Sequence, residues 1–333
     1  MILKKLYMNS FFKNNKSIKV LTLVLFLILL FVTKNSFAQQ DPQYSQYMFN
    51  HIVINPGYAG SKDVLSVTAQ IRKQWVGIEG APQTNDISIH GPLKKKHIGV
   101  GGHMMLETIG PKRWAAAYGD FAYRLRLGHG DLGFGLSAGF MSYQFDYSKI
   151  SYGNQNEFNQ SIIGELNKTQ TKFDGSFGIY YHNPNMYIGY GVTHLTEPKL
   201  YQITTNGANN ASSIRFNVKR HHFISVGKGF RLSDNVVFSP SILLKTLETT
   251  QTFNADLNLN FLLQRRLWLG ASIRSSKNII VIAQYLINSQ FKVGYSFDLN
   301  YGGISMGRNN SHEIMIGYNL KSSASHIISP RYL

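Results

Sequence analysis

Four residues, His221, His222, His312 and Glu313, are the groups with which this chain of 333 residues could do acid–base chemistry. Imidazole and carboxylate can act as general base and orienter for a hydroxyl nucleophile. No nucleophile, base and orienter fall at one height when strands are numbered through them, and the eleven histidines are scattered. His97 and His103 share a face. Six residues of extended chain separate them by about 20 Å, too far for one metal ion. Gly99-Val-Gly-Gly102 has no helix after it, so it is not a phosphate loop. No catalytic residue, metal ligand or cofactor site is assigned, and a non-enzymatic protein is expected.

The other chemistry-bearing residues are charges set singly among apolar neighbours: Arg72, Glu107, Asp120, Arg124, Asp256, Arg274, Asp298 and Glu313. Charges of both signs on one face can pair into a closed network or line a channel, and the spacing leaves both open. Strands must position them. From Phe253 to Phe261 the odd positions are Phe, Ala, Leu, Leu, Phe and the even ones Asn, Asp, Asn, Asn. That period of two demands apolar surroundings on one side and a wet or polar space on the other. About fourteen such stretches run from Val64 to Leu320. By parity Leu65, Val67 and Ile71, or Phe291, Val293 and Tyr295, face lipid, and the charges face a lumen.

Connector lengths separate a barrel from a soluble sandwich. After even-numbered strands they are short, as in Gly128-His129-Gly130 and Asn183-Pro184. The long polar ones, Asp146–Thr171, Thr196–Lys219 and Tyr301–Asn310, all follow odd-numbered strands. This asymmetry belongs to outer-membrane barrels, with short periplasmic turns and long external loops. The fold expected is all-β, a transmembrane antiparallel outer-membrane β-barrel of about 14 strands, with both termini periplasmic.

The first 38 residues read as a signal peptide: a lysine-rich start, an apolar run Val20–Val32, then Ser36-Phe37-Ala38 before Gln39. The organisation expected is signal peptide 1–38, an N-terminal periplasmic or plug segment 39–63, barrel 64–320 and a periplasmic tail 321–333. Six of the 34 basic residues fall in the signal, leaving 28 against 17 acidic. They are dispersed, which excludes a nucleic-acid surface. With no cysteine there is neither a disulfide framework nor a lipidation site. Lys112, Arg113, Lys199, Lys219 and Arg220 fall near the external rim, where the phosphates of outer-membrane lipid and lipopolysaccharide would attract them.

Four segments, taken in order, resemble the PorP/SprF family of the type IX secretion system of Bacteroidota. They are Asp41-Pro-Gln-Tyr-Ser-Gln-Tyr-Met-Phe-Asn50 with Ile54-Asn-Pro-Gly-Tyr-Ala-Gly60, Arg72-Lys-Gln-Trp75-Val-Gly77 with Gly80-Ala-Pro-Gln-Thr84, Ser311-His-Glu-Ile314, and Ser329-Pro-Arg-Tyr-Leu333. The resemblance implies a non-enzymatic outer-membrane barrel that binds, anchors or helps export a secreted adhesin of the gliding type through its C-terminal sorting domain. Other members are accessory barrels linked to periplasmic secretion and motility components. A passive diffusion channel is the alternative from a different class.

Candidate partner contacts are Tyr44, Tyr47, Phe49 and Tyr58 in the N-terminal segment, which either plug the barrel or present a docking surface. Lys94, Lys95 and Lys96 in a short turn, and Arg331 and Tyr332 in the tail, could meet periplasmic components. Inward glycines at 99, 101, 133, 135, 189, 191, 227 and 229 leave room for an inserted segment, although strand curvature is the simpler account.

Overall fold

The computed structural model describes residues 41–93, 97–146, 169–206, 211–248, 253–302 and 309–320. Seven strands come first: β1 Leu65–Lys73, β2 Gln83–Pro92, β3 Ile98–Ile109, β4 Lys112–Leu127, β5 Gly130–Phe145, β6 Gln170–His182 and β7 Met186–Thr193. A separate hairpin, β8 Lys199–Asn206 and β9 Ala211–Asn217, lies in the next connector. Then follow β10 His221–Lys228, β11 Phe230–Ser233, β12 Val236–Leu247, β13 Phe253–Leu263, β14 Leu267–Arg274, β15 Asn278–Leu286, β16 Phe291–Asn300 and β17 Ser311–Leu320. Each barrel strand pairs antiparallel with its neighbours, and β10 and β11 both pair with β12 across Gly229 as one interrupted strand. The sheet closes where β1 meets β17, with Leu65 opposite Leu320 and Arg72 opposite Glu313. The result is a closed antiparallel barrel of 14 strands. Closure gives every ladder a partner and leaves no edge to lipid.

Side chains alternate as the period of two requires. Ile71, Phe121, Leu136, Ile314 and Ile316 stand exposed on the outer face, while Arg72, Asp120, Ser137 and Glu313 are buried inside. The inner face is not polar throughout, however. Phe223, Leu243, Trp268, Ile280, Ile282 and Met315 all point inward and are buried.

What covers them is the segment Asp41–Asp63, which occupies the lumen. Pro42 and Pro56 prevent a long helix, and the segment makes three single 3-10 turns at Tyr47–Phe49, His51–Val53 and Pro56–Tyr58. Lys62 and Ser66 meet at the short-turn end. Asp41 instead reaches His194, just past β7, at the end bearing the long connectors. Asp41 and the long connectors therefore share one end of the barrel. The segment is extended enough to run the length of the lumen. Residues 1–38, expected to be a signal peptide, and the tail 321–333 lie outside the described residues.

Candidate functional site

A chain threaded through a barrel cannot hand its backbone polar groups to bulk water, so the wall must supply partners. The Glu313 carboxylate accepts from the Ser45 and Gln46 backbone N–H groups at 2.8 and 2.9 Å. Arg274 donates to the Tyr44 carbonyl at 2.9 Å and to the Asp256 carboxylate at 3.0 and 3.1 Å. Arg72 donates to Ser45 Oγ at 2.8 Å and to Asp298 at 2.6 Å. Lys245 completes the group on Asp256 at 3.0 Å. Five strands (β1, β12, β13, β14 and β16) and β17 thus read Tyr44–Gln46 through one charged network. It is buried, so its gross attraction is largely spent on desolvation; what it supplies is register.

Opposite it, the wall of β3, β5, β6 and β7 approaches the segment backbone to backbone. A Cβ at Gly135 would fall on Pro56 and Gly57, one at Gly99 on Ala59, and one at Gly191 on the Ile54 carbonyl. Asn55 caps the last 3-10 turn by accepting from the Gly57 N–H at 2.9 Å, and donates across to the Ile179 carbonyl at 3.0 Å. Six inward glycines, at 99, 101, 133, 135, 189 and 191, therefore make room for the inserted chain, whereas Gly227 faces the Tyr187 ring.

Toward the middle, Tyr47, Met48 and Phe49 pack against Phe223, Leu243, Trp268, Ile280, Ile282 and Met315. Tyr58 lies edge-on to Tyr180, with His51 between the Tyr58, Tyr180 and Tyr187 rings. Near the short-turn end Arg124 donates to the Gly60 carbonyl at 2.6 Å and to Asp63 at 3.0 Å. At the long-connector end, Leu200 and Val218 at the base of the hairpin fold against Trp114, Met141 and Tyr143. Internal cavities of about 60 and 20 Å³ remain beside Asp41 and Tyr44.

At that same end the Asp41 carboxylate receives His194 Nε2 at 2.7 Å and Thr193 Oγ1 at 3.1 Å, with His221 Nδ1 at 3.5 Å. His194 donates its other nitrogen to Asp174 at 2.6 Å. Burial alone would push the Asp41 carboxyl up, but the charges of His194 and His221 outweigh it and hold it well below the usual range. Burial likewise pushes His194 down; the Asp41 charge and hydrogen bonds to Asp174 and Asp41 prevail and lift it to about 10. His194 is then an imidazolium gripped between two carboxylates at neutral pH.

The eight charges assigned inward by parity are all buried within the barrel: Arg72, Asp256, Arg274, Asp298 and Glu313 meet in one network. Asp120 pairs with His103 at 2.9 Å, Arg124 with Asp63, and Glu107 accepts from Thr84 at 3.2 Å. Tyr44, Tyr47, Phe49 and Tyr58 are buried by the wall, as the plug alternative for them requires, and offer no exposed docking surface. Lys112 is corrected as a lipopolysaccharide contact, since it turns inward over Trp114 at 4.6 Å and beside Glu107 at 3.9 Å. Lys219 and Arg220 face Glu197 and Glu248. His222 and His312 point outward, each against a tyrosine hydroxyl, and do not join Glu313. Lys94, Lys95, Lys96, Arg331 and Tyr332 lie outside the described residues, as do 147–168 of the long connector after β5. Missed from the sequence were Asp41 and His194, which no spacing connects to His221, and the exposed Trp75, Val76 and Ile78 in the connector after β1.

Residues 36–318 match the family described as type IX secretion system membrane protein PorP/SprF. The chain belongs to the PorP/SprF family. A PorP/SprF chain is an outer-membrane type of barrel in a secretion system, and the 14-strand closure agrees with that. Solved structures similar to this PorP/SprF barrel include the Acinetobacter baumannii outer membrane protein Omp33, at 8% identity over 78% of this chain and 100% of that one, TM-score 0.45. The Pseudomonas putida toluene transporter TodX is similar at 9% identity, covering 82% of this chain and 94% of that chain, TM-score 0.47. The KdgM porin is similar at 6% identity, 77% and 99% coverage, TM-score 0.37. A comparison with curated proteins finds no match.

Proposed function

We propose that this barrel binds and anchors, or helps export, a secreted surface adhesin by holding its C-terminal domain at the long-connector face, and that this face lies outside the cell. The observation that carries the reading is the lumen filled by Asp41–Asp63. A permeant or a second chain would have to displace a segment held by buried ion pairs and backbone contacts. Binding is therefore assigned to the connectors after β1, β5 and β7, where Trp75, Val76 and Ile78 present apolar surface. Lipid and lipopolysaccharide surround the barrel, and no chemistry is assigned to it.

Pull-down of the native protein from membranes, with identification of co-purifying chains, tests the reading. An exported protein recovered by its C-terminal domain supports it; recovery of only lipopolysaccharide and chaperones ends it. The rival, a passive diffusion channel, requires steady conductance in planar bilayers with the segment in place, which the packed lumen opposes. An accessory role toward periplasmic components would instead lie at the opposite face, through Lys94–Lys96 and the Arg331-Tyr332 tail. Charge reversal there would break assembly while leaving cargo recovery intact.

A further inference from the structure

We propose that Asp41, His194 and His221 form a binding site for a divalent transition metal, with zinc the best-suited ion, that fastens the lumen segment to the barrel rim.

The three residues come from three parts of the chain: the start of the lumen segment, the residue after β7 and the first residue of β10. One ligand atom from each lies within 4.8 Å of the others. Ligands about 2.0–2.1 Å from a tetrahedral zinc sit about 3.3 Å from each other. The 2.7 Å between His194 Nε2 and Asp41 has to open by about half an ångström, and His221, which donates Nδ1 to the Lys219 carbonyl at 2.9 Å, keeps Nε2 as the nitrogen with a free lone pair. Two imidazoles and one carboxylate suit zinc and its neighbours in the transition series better than calcium or magnesium, which prefer all-oxygen sets.

Three further observations point the same way. His194 gives its remaining nitrogen to Asp174 at 2.6 Å, the carboxylate–histidine pairing that orients metal-binding imidazoles. His194 also holds a left-handed backbone, φ +58°, which turns its ring inward where strand alternation would not. His221 is buried, and its Nε2 has no hydrogen-bond partner, although a cavity of about 20 Å³ beside it is large enough for one water. The cavity of about 60 Å³ next to Asp41 and His194 leaves a fourth position for water.

The experiment uses the folded full-length protein in detergent, stripped with chelator and then titrated with zinc by calorimetry and with cobalt by visible absorption. One equivalent of zinc should bind at about micromolar or tighter affinity, with a tetrahedral cobalt spectrum. His221→Ala should abolish binding, Asp174→Asn should weaken it about 10–100-fold, and His222→Ala, on the outer face of the same strand, should leave it unchanged. Heat-modifiable gel migration reports whether each variant folds. Should His221→Ala fail that check, the His222→Ala and Asp174→Asn comparison decides alone. Failure of the wild-type protein to bind zinc at that concentration, equal losses in His222→Ala and Asp174→Asn, or undiminished binding in folded His221→Ala would overturn the proposal.

Discussion

The two halves of the inner wall hold the same segment by different physics. The half built from β12–β17 and β1 uses long charged side chains that reach in and grip Tyr44–Gln46. The half built from β3–β7 uses the absence of side chains, bringing its backbone against Ile54–Gly60. The first selects which residues sit at a given height, because each carboxylate and guanidinium needs a matching partner. The second sets how close the chain can approach and tolerates only small groups. One segment is therefore read for chemistry at one end and for bulk at the other.

The comparison breaks most sharply at Arg72. Removing it strands Asp298 and Glu313 in the interior, and Arg72→Ala should cost about 3–5 kcal/mol, read as a fall in the urea midpoint of the folded barrel. If the midpoint holds, the charged half does not grip the segment. Gly135→Ala comes next, at about 1–3 kcal/mol from overpacking against Pro56 and Gly57. Because the chain lacks cysteine, a single Ser61→Cys provides a clean probe. Buried in the wild type, it should react with a polar maleimide only when Gly135→Ala has pushed the segment out; unchanged protection would show the glycine wall to be slack. Ser45→Ala removes one hydroxyl between Arg72 and Asp298 and should cost about 1–2 kcal/mol, with Ser61→Cys still protected. Ile314→Val, on the lipid face beside Glu313, should stay within about 0.5 kcal/mol. A larger loss there would mean that stability lies in the strands rather than in the segment's contacts.

Some of this was legible residue by residue. The alternation from Phe253 to Phe261 put Asp256 inward, and the same parity did so for Arg274 and Glu313, because a strand fixes sidedness from sequence alone. The number of alternating stretches set the strand count, and the unequal connectors separated a barrel from a sandwich. The identity of the partners was not legible. Arg72 meets Glu313 because β1 closes on β17, 241 residues away. Inward apolar residues such as Trp268 and Ile280 contradicted a wholly polar lumen, and they make sense only once Phe49 and Met48 lie on them.

The sequence by itself determined a barrel with an apolar outer face, inward charges and a membership written in its terminal motifs, since periodicity and turn chemistry act over a few residues. Only the tertiary structure decided that the lumen is filled, that glycines mark the path of the inserted chain, and that Asp41, His194 and His221 converge. Those outcomes depend on closure of the sheet and on a segment threaded through it, and contacts across 153 residues leave no local pattern to read.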